Sequence, residues 1–462
     1  MKNKIALIVM LLLSISCTSN SQSTYKPYWG NKFELSAEQK TFLDTLQYKT
    51  FLFFMEQINP ENGLVKDRST DTSPATIAAT GFALPIWAIG AEKGWITKDK
   101  ATELTYNQLN FFYNSEQSLD ISATGHHGFY YHFIDMKNGK RFWNCELSSI
   151  DSGLLFCGMI FARNYYNGES EKEKAIRDLA DKLIGRANYD YFAHGANAKF
   201  PYGISMGWHE REGIYEISWW GYTEALFLWI IAAGMDMEKA PEGYKETFIK
   251  HYQWREPYDG LGHVVFPALF SHQFSMMFLD MRGLVDNYMK SKGSDYFENS
   301  RRATYTQWNY AKENPLGWTG YDSLCWGWTA ADGPGDFRKN GKQFWGYAAR
   351  GNAGPDSIEF DDGTIVPTAV AGSIPFAPEI TIPALINMAK KYQSLGVMGK
   401  YGFYDSFNPY LKWVDPDYLG LDQGPIVIMI ENFYNGFVWK YFMKDPIVQK
   451  GLERLGFEKI NR

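Results

Sequence analysis

Acidic residues stand in or just before the first turn of several apolar segments that are predicted to be helices. Glu146 and Asp151 lie in Asn-Cys-Glu-Leu-Ser-Ser-Ile-Asp-Ser-Gly, Glu216 lies in Ile-Tyr-Glu-Ile-Ser-Trp-Trp, and Glu379 lies in Phe-Ala-Pro-Glu-Ile. Hydrolysis of a glycosidic bond needs one carboxylic acid to protonate the leaving oxygen and one carboxylate to activate water or to attack the sugar. If the helices run parallel, these carboxyl groups meet at one end of the molecule.

Each of these acids also has a purely structural explanation. Free N–H groups and the helix dipole favour carboxylates in the first turn of any helix. Four such residues in very apolar helices, with Tyr215, Trp219 and Trp220 beside Glu216, favour a shared site over four unrelated helix starts.

Three further acids lie in loops or inside an apolar run. Asp405 lies in Tyr-Gly-Phe-Tyr-Asp-Ser-Phe-Asn-Pro, and Asp422 lies in Gly-Leu-Asp-Gln-Gly-Pro. An Asp in such a loop often closes its own turn; we favour that explanation for Asp422, whereas Asp405 is a catalytic candidate. Glu431, in Ile-Met-Ile-Glu-Asn-Phe, would be costly to bury unpaired. It therefore either faces a cavity or has a partner such as an Arg.

Aromatic residues make up 17% of the chain, with 16 Trp, 30 Tyr and 32 Phe, many of them in Gly- and Pro-containing stretches. A large core explains more than half of them, but aromatic rings in loops also stack on the apolar faces of sugar rings while their polar tips hydrogen-bond hydroxyl groups. His126 and His127 are adjacent, so as strand neighbours they would point in opposite directions, and we expect them to bind substrate hydroxyls. No His-Glu-x-x-His, P-loop or dinucleotide motif occurs, so we predict no metal and no cofactor.

Composition excludes several classes of partner. The chain of 462 residues has a net charge of -6 and 45% hydrophobic residues, which is globular usage and does not favour nucleic acid or an anionic membrane surface. We expect a monomer that binds an oligo- or polysaccharide.

The first residues are typical of an export signal. Lys2 and Lys4 precede an apolar run from Ile5 to Leu13, and Ser14-Ile15-Ser16-Cys17 resembles a lipoprotein cleavage box. We predict a signal peptide over residues 1–17, a lipid anchor on Cys17 and a tether over 18–35, which places the protein in the periplasm or on the outer membrane of a Gram-negative bacterium. Cys145, Cys157 and Cys325 would remain, so no disulfide framework is indicated, and we expect Cys145 and Cys157 to lie in the core.

Helical periodicity dominates the rest of the chain and separates into two kinds of segment. One kind is apolar on most sides, as for buried inner helices: 74–91, 148–165, 215–234, 271–288, 379–392 and 425–442. The other is amphipathic, as for outer helices, and mostly alternates with the first: 36–57, 98–115, 170–187, 238–254 and 294–312. This alternation predicts a mainly α toroid of helical hairpins that forms one catalytic domain over 36–462.

Two irregular regions interrupt the helices. A long insertion rich in Gly, Trp and Asp covers 314–378 and, at that length, is expected to be functional. Alternation in Phe129-Tyr130-Tyr131-His132-Phe133 predicts a small β-hairpin at the rim, with its turn at Asn138-Gly139.

Five motifs resemble those of the glucoamylase-like domain family: Glu-Leu-Ser-Ser-Ile-Asp-Ser-Gly-Leu-Leu at 146, Trp-Thr-Ala-Ala-Asp-Gly-Pro at 328, Ser-Ile-Pro-Phe-Ala-Pro-Glu at 373, Tyr-Gly-Phe-Tyr-Asp-Ser-Phe-Asn-Pro at 401 and Asp-Gln-Gly-Pro-Ile-Val-Ile-Met-Ile-Glu-Asn at 422. The resemblance covers about residues 36–460 and implies an (α/α)6 toroid. The characterised members that the chain most resembles are bacterial endo-β-1,2-glucanases, which implies an inverting hydrolase. The family label implies instead a glucoamylase acting on α-glucan, and related domains of cyclic β-1,2-glucan synthases transfer glycosyl groups.

Position in these motifs implies a role for each candidate. Glu216 would be the general acid, its pKa raised by aromatic surroundings, and Asp405 the base; Glu146 and Asp151 are the alternatives. Substrate binding would fall to motif residues and to the aromatic and histidine candidates: Trp328, Asp332, Glu379, Tyr404, Asp422, Glu431, His126, His127, Tyr215, Trp219 and Trp220.

Two other functions remain open from the sequence. Toroids of this kind also host polysaccharide lyases with a Tyr or His base, for which Tyr130, Tyr131 or His132 could serve, although the uronate substrates of lyases would call for a basic cleft. A lipoprotein that only binds glycans would need the aromatic residues but no paired carboxylates.

Overall fold

A computed structural model describes residues 33–460, so the predicted signal peptide, Cys17 and nearly all of the tether lie outside the described residues. Within the described part, no helix combines the length and the apolar character needed to cross a membrane.

Fifteen α-helices occur in the described residues. They are α1 Ala37–Glu56, α2 Ile77–Glu92, α3 Lys98–Asn114, α4 Ser149–Tyr165, α5 Glu171–Gly185, α6 Leu226–Gly234, α7 Ala240–Gly243, α8 Phe270–Phe278, α9 Asn287–Ser291, α10 Tyr296–Glu313, α11 Pro367–Ala371, α12 Pro378–Lys391, α13 Gly420–Asn435, α14 Phe437–Phe442 and α15 Pro446–Arg454. A π turn at Tyr244–Phe248 and a 3-10 turn at Ile249–His251 extend α7, and further 3-10 turns lie at Tyr189–Phe192 and Gln393–Leu395.

The helices form the (α/α)6 toroid that the resemblance implies. Its inner ring consists of α2, α4, α6, α8, α11 and α13, and α13 packs against α2 to close the ring. Its outer ring consists of α1, α3, α5, the α7 segment, α10 and α12, while α14 packs on α4 and α8 and α15 on α6. Because each outer helix returns the chain, all six inner helices begin at the same end of the toroid.

Four predicted inner helices differ from the observed ones. The segment predicted over 271–288 is helical only as far as Phe278, and that predicted over 425–442 is divided at Gly436 into α13 and α14. The segment predicted over 215–234 becomes helical only at Leu226, so Glu216 does not lie in a helix. The segment predicted over 379–392 is the outer helix α12, whose Lys390 and Lys391 are exposed, and the inner position is taken by α11, which is wholly buried. A helix of five residues is too short for its periodicity to be read from the sequence.

A five-stranded antiparallel sheet crosses the rim where the hairpin was expected. In sheet order its strands are Gly125–His126, Phe129–Tyr131, Leu147–Ser148, Gly207–His209 and Gly213–Ile214. The predicted turn at Asn138-Gly139 is confirmed, because the Asp135 N–H donates to the Lys140 carbonyl at 2.8 Å and Gly139 adopts a φ of 71°. It closes the strand Phe133–Ile134, which pairs with Ala75–Thr76 directly before α2.

The remaining strands form isolated antiparallel pairs. They are Ile58–Asn59 with Leu64–Val65, Trp254–Arg255 with His263–Val264, Leu284–Val285 with Glu458–Lys459, Ala330–Ala331 with Ala348–Ala349, Phe337–Lys339 with Lys342–Phe344, Gly351–Asn352 with Ile358–Glu359, Met398–Gly399 with Gly402–Phe403, and Phe407–Asn408 with Trp413–Val414. Cys145, Cys157 and Cys325 are buried and free, so the two expected core cysteines are confirmed.

Candidate active site

The beginnings of five of the six inner helices line a central cavity of about 370 Å³. Its wall includes Thr76 at the start of α2, Asp151 in α4, Glu224 before α6, Phe270 in α8 and Asp422 in α13. The predicted convergence of helix starts is therefore confirmed, although the acids that meet there are partly different from those expected.

Glu224 is the acid on the α6 side of this cavity. Its backbone is tied to the next inner helix, because the Ser275 hydroxyl donates to the Glu224 carbonyl at 2.6 Å and accepts from the Phe227 N–H at 3.0 Å. Burial raises the pKa of Glu224 to about 7, assisted by the charge of Asp151. A carboxyl group with such a pKa is protonated over much of the physiological range and can serve as a general acid.

Asp151 and Glu146 share one partner, His132. The His132 Nδ1 lies 2.9 Å from Glu146 Oε1 and 3.7 Å from Asp151 Oδ2. Burial lowers the pKa of His132, but the charges of Asp151, Glu146 and Asp67 outweigh it and raise the value to about 9. Burial raises the pKa of Asp151, whereas at Glu146 the hydrogen bond and charge of His132, together with its own backbone N–H and Arg141, outweigh burial and leave the pKa lowered. The two acids are thus occupied by an imidazolium ion, with Ser148 also donating to Asp151 at 2.5 Å.

Asp405 and Asp422 form a second acidic pair, across the ring from Glu224. Their carboxyl groups are hydrogen-bonded to each other, and both side chains are almost completely buried. Burial first, and the like charge of the neighbour second, raise the pKa of Asp405 well above its usual range. Such a pair holds one proton at neutral pH, as expected for two carboxylates that cannot both ionise in one apolar site.

Backbone and basic groups hold this pair in place. The Asp332 N–H donates to Asp405 Oδ2 at 2.8 Å, while its carboxylate binds Arg68 Nη1 at 2.7 Å. Arg68 also contacts Asp67 at 3.1 Å, so one guanidinium offsets two charges at the cavity wall. Asp405 Oδ1 is buried, so within the pair it is Asp422 that faces the cavity.

The insertion over 314–378 forms part of the cavity wall, and a buried ion pair holds it in place. Arg350 is fully buried, pairs with Asp362 at 3.0 Å and donates to the carbonyls of Trp345 at 2.8 Å and Gly346 at 2.9 Å. These bonds fix the turn that carries Tyr347, which lines the cavity with an exposed fraction of 60%.

A second cavity of about 460 Å³ adjoins the first one. Glu224 and Phe270 line both cavities, so these two residues lie at their junction. Trp219 and Trp220 line the second cavity as predicted for sugar contacts; Trp219 is fixed by donating to the Ser149 hydroxyl at 2.9 Å.

Two groups in the described residues bring three possible cation ligands within 4.8 Å of one another: His132 with Glu146 and Asp151, and Asp332 with Asp405 and Asp415. In the first group the nearby carboxylates raise the pKa of His132 to about 9, which favours a proton on its Nδ1 and a hydrogen bond to Glu146. The second has oxygen ligands of the kind Ca²⁺ and Mg²⁺ accept, but Arg68 and the shared proton already offset its charge.

Four expected site residues lie away from the cavity. Glu216 is exposed on the loop that follows the rim sheet, so the geometry does not support it as the general acid. Glu379 pairs with Arg301 at 2.7 Å in the outer ring. Glu431 faces the other way along α13, where Lys93 at 2.9 Å and Gln47 at 3.0 Å satisfy it. Trp328 is a core residue with an exposed fraction of 1%.

The other expected binding residues lie near the rim. The exposed His127 stacks on Tyr191 at 3.9 Å, whereas His126 is buried against Trp208 at 4.5 Å, and burial lowers its pKa to about 4. His126 thus stays neutral, out of reach of substrate. Tyr215 is half-buried in the rim sheet region near Glu146, and Tyr404 stacks on Tyr418 at 4.3 Å.

Sequence reasoning missed Glu224, Asp67, Arg68 and Tyr347. The signal for Glu224 was present, because Gly-Tyr-Thr-Glu-Ala-Leu places an acid directly before an apolar helix. Because that helix was predicted to begin at residue 215, Glu216 was assigned to its first turn instead of Glu224. Contacts of Asp67, Arg68 and Tyr347 depend on distant residues and carry no local pattern.

The site has the parts of a two-carboxylate hydrolase and not those of a lyase. Tyr130 and Tyr131 are buried in the core, and burial raises the pKa of Tyr130. With a pKa of about 9, His132 is protonated at neutral pH and cannot accept a proton. A protonated acid facing a half-protonated pair across a cavity is instead suited to acid–base hydrolysis.

Comparison with known proteins points the same way. The model of the family described as "Putative glucoamylase" matches residues 216–446, which is half of the chain. The exo β-1,2-glucooligosaccharide sophorohydrolase (non-reducing end) of Parabacteroides distasonis is 27% identical over 447 residues, covering 89% of this chain and 57% of its own length. The chain therefore spans little more than half of that relative.

Solved structures share the whole fold. A putative glucoamylase from Bacteroides uniformis has a TM-score of 0.78 and 29% identity, covering 92% of this chain and 99% of its own. The endo-β-1,2-glucanase from Chitinophaga pinensis, solved with sophorotriose and glucose, has a TM-score of 0.76 and 26% identity, with coverage of 92% and 99%.

Proposed function

Since the chain belongs to the putative glucoamylase family, we propose that it is a glycoside hydrolase that cleaves β-1,2-linked glucan by inversion at the anomeric carbon. The observation that carries this proposal is the position of Glu224, a carboxyl group with a pKa of about 7, across the central cavity from the Asp405–Asp422 pair. The substrate class follows from the activities that the relatives from Parabacteroides distasonis and Chitinophaga pinensis are named for.

The proposed mechanism gives each acid one role. Glu224 donates its proton to the glycosidic oxygen as the bond to the anomeric carbon breaks. The Asp405–Asp422 pair, which shares one proton, accepts the proton of the water that attacks the opposite face of the sugar, and Asp422 is the member of the pair that lines the cavity. Two inner helices separate α6 from α13 in either direction around the ring, which leaves room for that water, as inversion requires.

We propose internal cleavage because space for sugar exists on both sides of the acid. The central cavity and the second cavity meet at Glu224 and Phe270, so glucosyl units could bind on either side of the bond to be broken. Trp219 and Trp220 would then hold the part of the chain that leaves.

The test is release of reducing ends from linear β-1,2-glucan and from soluble starch. Oligosaccharides from β-1,2-glucan alone support the proposal, with sophorose as sole product indicating exo action and mixed lengths indicating internal cleavage. Glucose from starch alone would establish the glucoamylase alternative, transfer products would indicate a transglycosylase, and binding without turnover would leave a glycan-binding protein. A nuclear magnetic resonance spectrum of the first product should show the α-anomer.

We also propose that the protein acts as a monomer tethered to the membrane through a lipid on Cys17. The lipoprotein-like sequence Ser14-Ile15-Ser16-Cys17 supports this. The variant Cys17→Ala should move the protein from the membrane fraction to the soluble fraction, and an unchanged distribution would argue against the anchor.

A further inference from the structure

Three aromatic side chains lead from the central cavity to the outer surface. The His132 ring stacks on the Phe133 ring at 4.0 Å with an interplanar angle of 11°, and Phe133 lines the cavity. Trp143 meets Phe133 at 5.1 Å, edge to face. We call His132, Phe133 and Trp143 the rim ladder, because they run from the imidazolium beside Asp151 out to solvent.

Trp143 is presented by a strained and well-supported turn. Its φ is 53°, a left-handed conformation that is a genuine outlier for a bulky side chain. Arg141, with a side chain only 4% exposed, holds the turn by donating from Nε to the Cys145 carbonyl at 2.7 Å and by pairing with Glu210 at 2.8 Å. The backbone is therefore fixed in a conformation whose effect is to point an indole outward.

The indole itself is largely uncovered. Phe133 and Phe142 support Trp143 from the side, at 5.1 and 5.2 Å, yet 63% of the side chain is exposed, the largest such fraction of any Trp among the exposed large hydrophobic residues in the described part of the chain. A fixed, exposed indole beside a sugar-sized cavity is suited to stacking on the apolar face of a pyranose ring.

We propose that Trp143 is a distal binding platform that stacks on a glucosyl unit of the substrate outside the central cavity, and that the rim ladder guides the glucan chain into it. This inference rests on the proposed function. It makes Trp143 a determinant of chain length: substrates long enough to reach the rim gain a contact that the shortest substrates lack.

The experiment compares Trp143→Ala, Trp143→Phe and the control Tyr48→Ala, an exposed aromatic on the outer helix α1 that is 42% exposed. Each variant is assayed on linear β-1,2-glucan and on the shortest β-1,2-linked oligosaccharide that the wild type cleaves. For Trp143→Ala we expect KM for the long substrate to rise about three- to tenfold with kcat unchanged, and no change on the short one. Trp143→Phe should recover most of the loss, and Tyr48→Ala should match the wild type.

Equal effects of Trp143→Ala on both substrates, or no effect on either, would overturn the platform while leaving the proposed function intact. Wild-type protein that cleaves neither substrate would overturn the proposed function. In that case calorimetric titration with β-1,2-glucan compares the affinities of the wild type and Trp143→Ala. Equal affinities, or no binding by either protein, would reject Trp143 as a binding platform.

Discussion

The carboxyl group of Asp422, at the wall of the central cavity, is hydrogen-bonded to that of Asp405 behind it. Because the negative charge of Asp422 raises the pKa of Asp405, Asp422→Asn should let Asp405 ionise at lower pH. We therefore expect the acid limb of the profile of kcat/KM against pH to move to lower pH in this variant. A limb that stays in place or moves upward would contradict the proposed coupling.

The role of Glu224 is tested by Glu224→Gln, with Glu216→Gln as its matched control. Loss of a general acid lowers kcat by about 10²- to 10⁴-fold, while the exposed Glu216 should be replaceable without effect on kcat or KM. Initial rates of reducing-end release on β-1,2-glucan measure both. The assignment fails if the control loses activity and Glu224→Gln does not.

Glu224 also makes a prediction about stability that needs no substrate. Its folded pKa of about 7 exceeds the ordinary glutamic acid value of 4.5, so between these values the folded state holds a proton that the unfolded state has lost. Stability therefore falls as pH rises through that window, and at pH above 7 the folded protein carries the cost of a buried charge. Glu224→Gln should raise the free energy of unfolding by about 1–3 kcal/mol at pH 8 and have little effect at pH 4. Denaturant titrations at the two pH values check this, and equal effects at both would refute it.

The Glu431–Lys93 ion pair is predicted to be structural. Glu431→Ala would leave Lys93 and Gln47 without their buried partner and should lower the free energy of unfolding by about 3 kcal/mol. KM and kcat of the folded protein should be unchanged because the carboxylate points away from the cavity. A raised KM with unchanged stability would restore Glu431 as a substrate-binding residue.

Removal of divalent cations should not affect activity. The cluster of Asp332, Asp405 and Asp415 has its charge offset by Arg68 and by the proton shared with Asp422, and burial raises the pKa of Asp415 to about 7. Activity after dialysis against a chelator should equal that of untreated enzyme. Loss of activity that Ca²⁺ restores would identify the cluster as a metal site.

The ring architecture could be predicted because inner and outer helices differ in how much of their surface is apolar. The same reasoning assigned 379–392 to the inner ring, since α12 is apolar over most of its length and only its last turn is exposed. α11 was missed because a single turn and a half has no measurable period. The pattern of apolar and amphipathic segments thus predicted that helix starts converge, but not which helix occupies each position in the two rings.

The site was predicted less well for a geometric reason. Asp405 and Asp151 were named as candidates because each stands out in its own segment. Glu224 was overlooked in favour of Glu216 because α6 was predicted to begin eleven residues too early. Arg68 binds Asp332 across 264 positions in sequence, and Tyr347 reaches the cavity from the insertion, far from Asp422 in sequence. No local spacing records such contacts.

The bond from Gln47 to Glu431 joins residues 384 positions apart and so has a consequence for biosynthesis. The inner ring cannot close until α13 has been synthesised, so during translation the apolar flanks of α2 and α8 have no lasting partner. Long-range closure of this kind slows folding and prolongs the exposure of hydrophobic, aggregation-prone surface. We expect nascent chains that end before α13 to bind chaperones or to aggregate. Glu224 and the Asp405–Asp422 pair should come together only in the last step of folding.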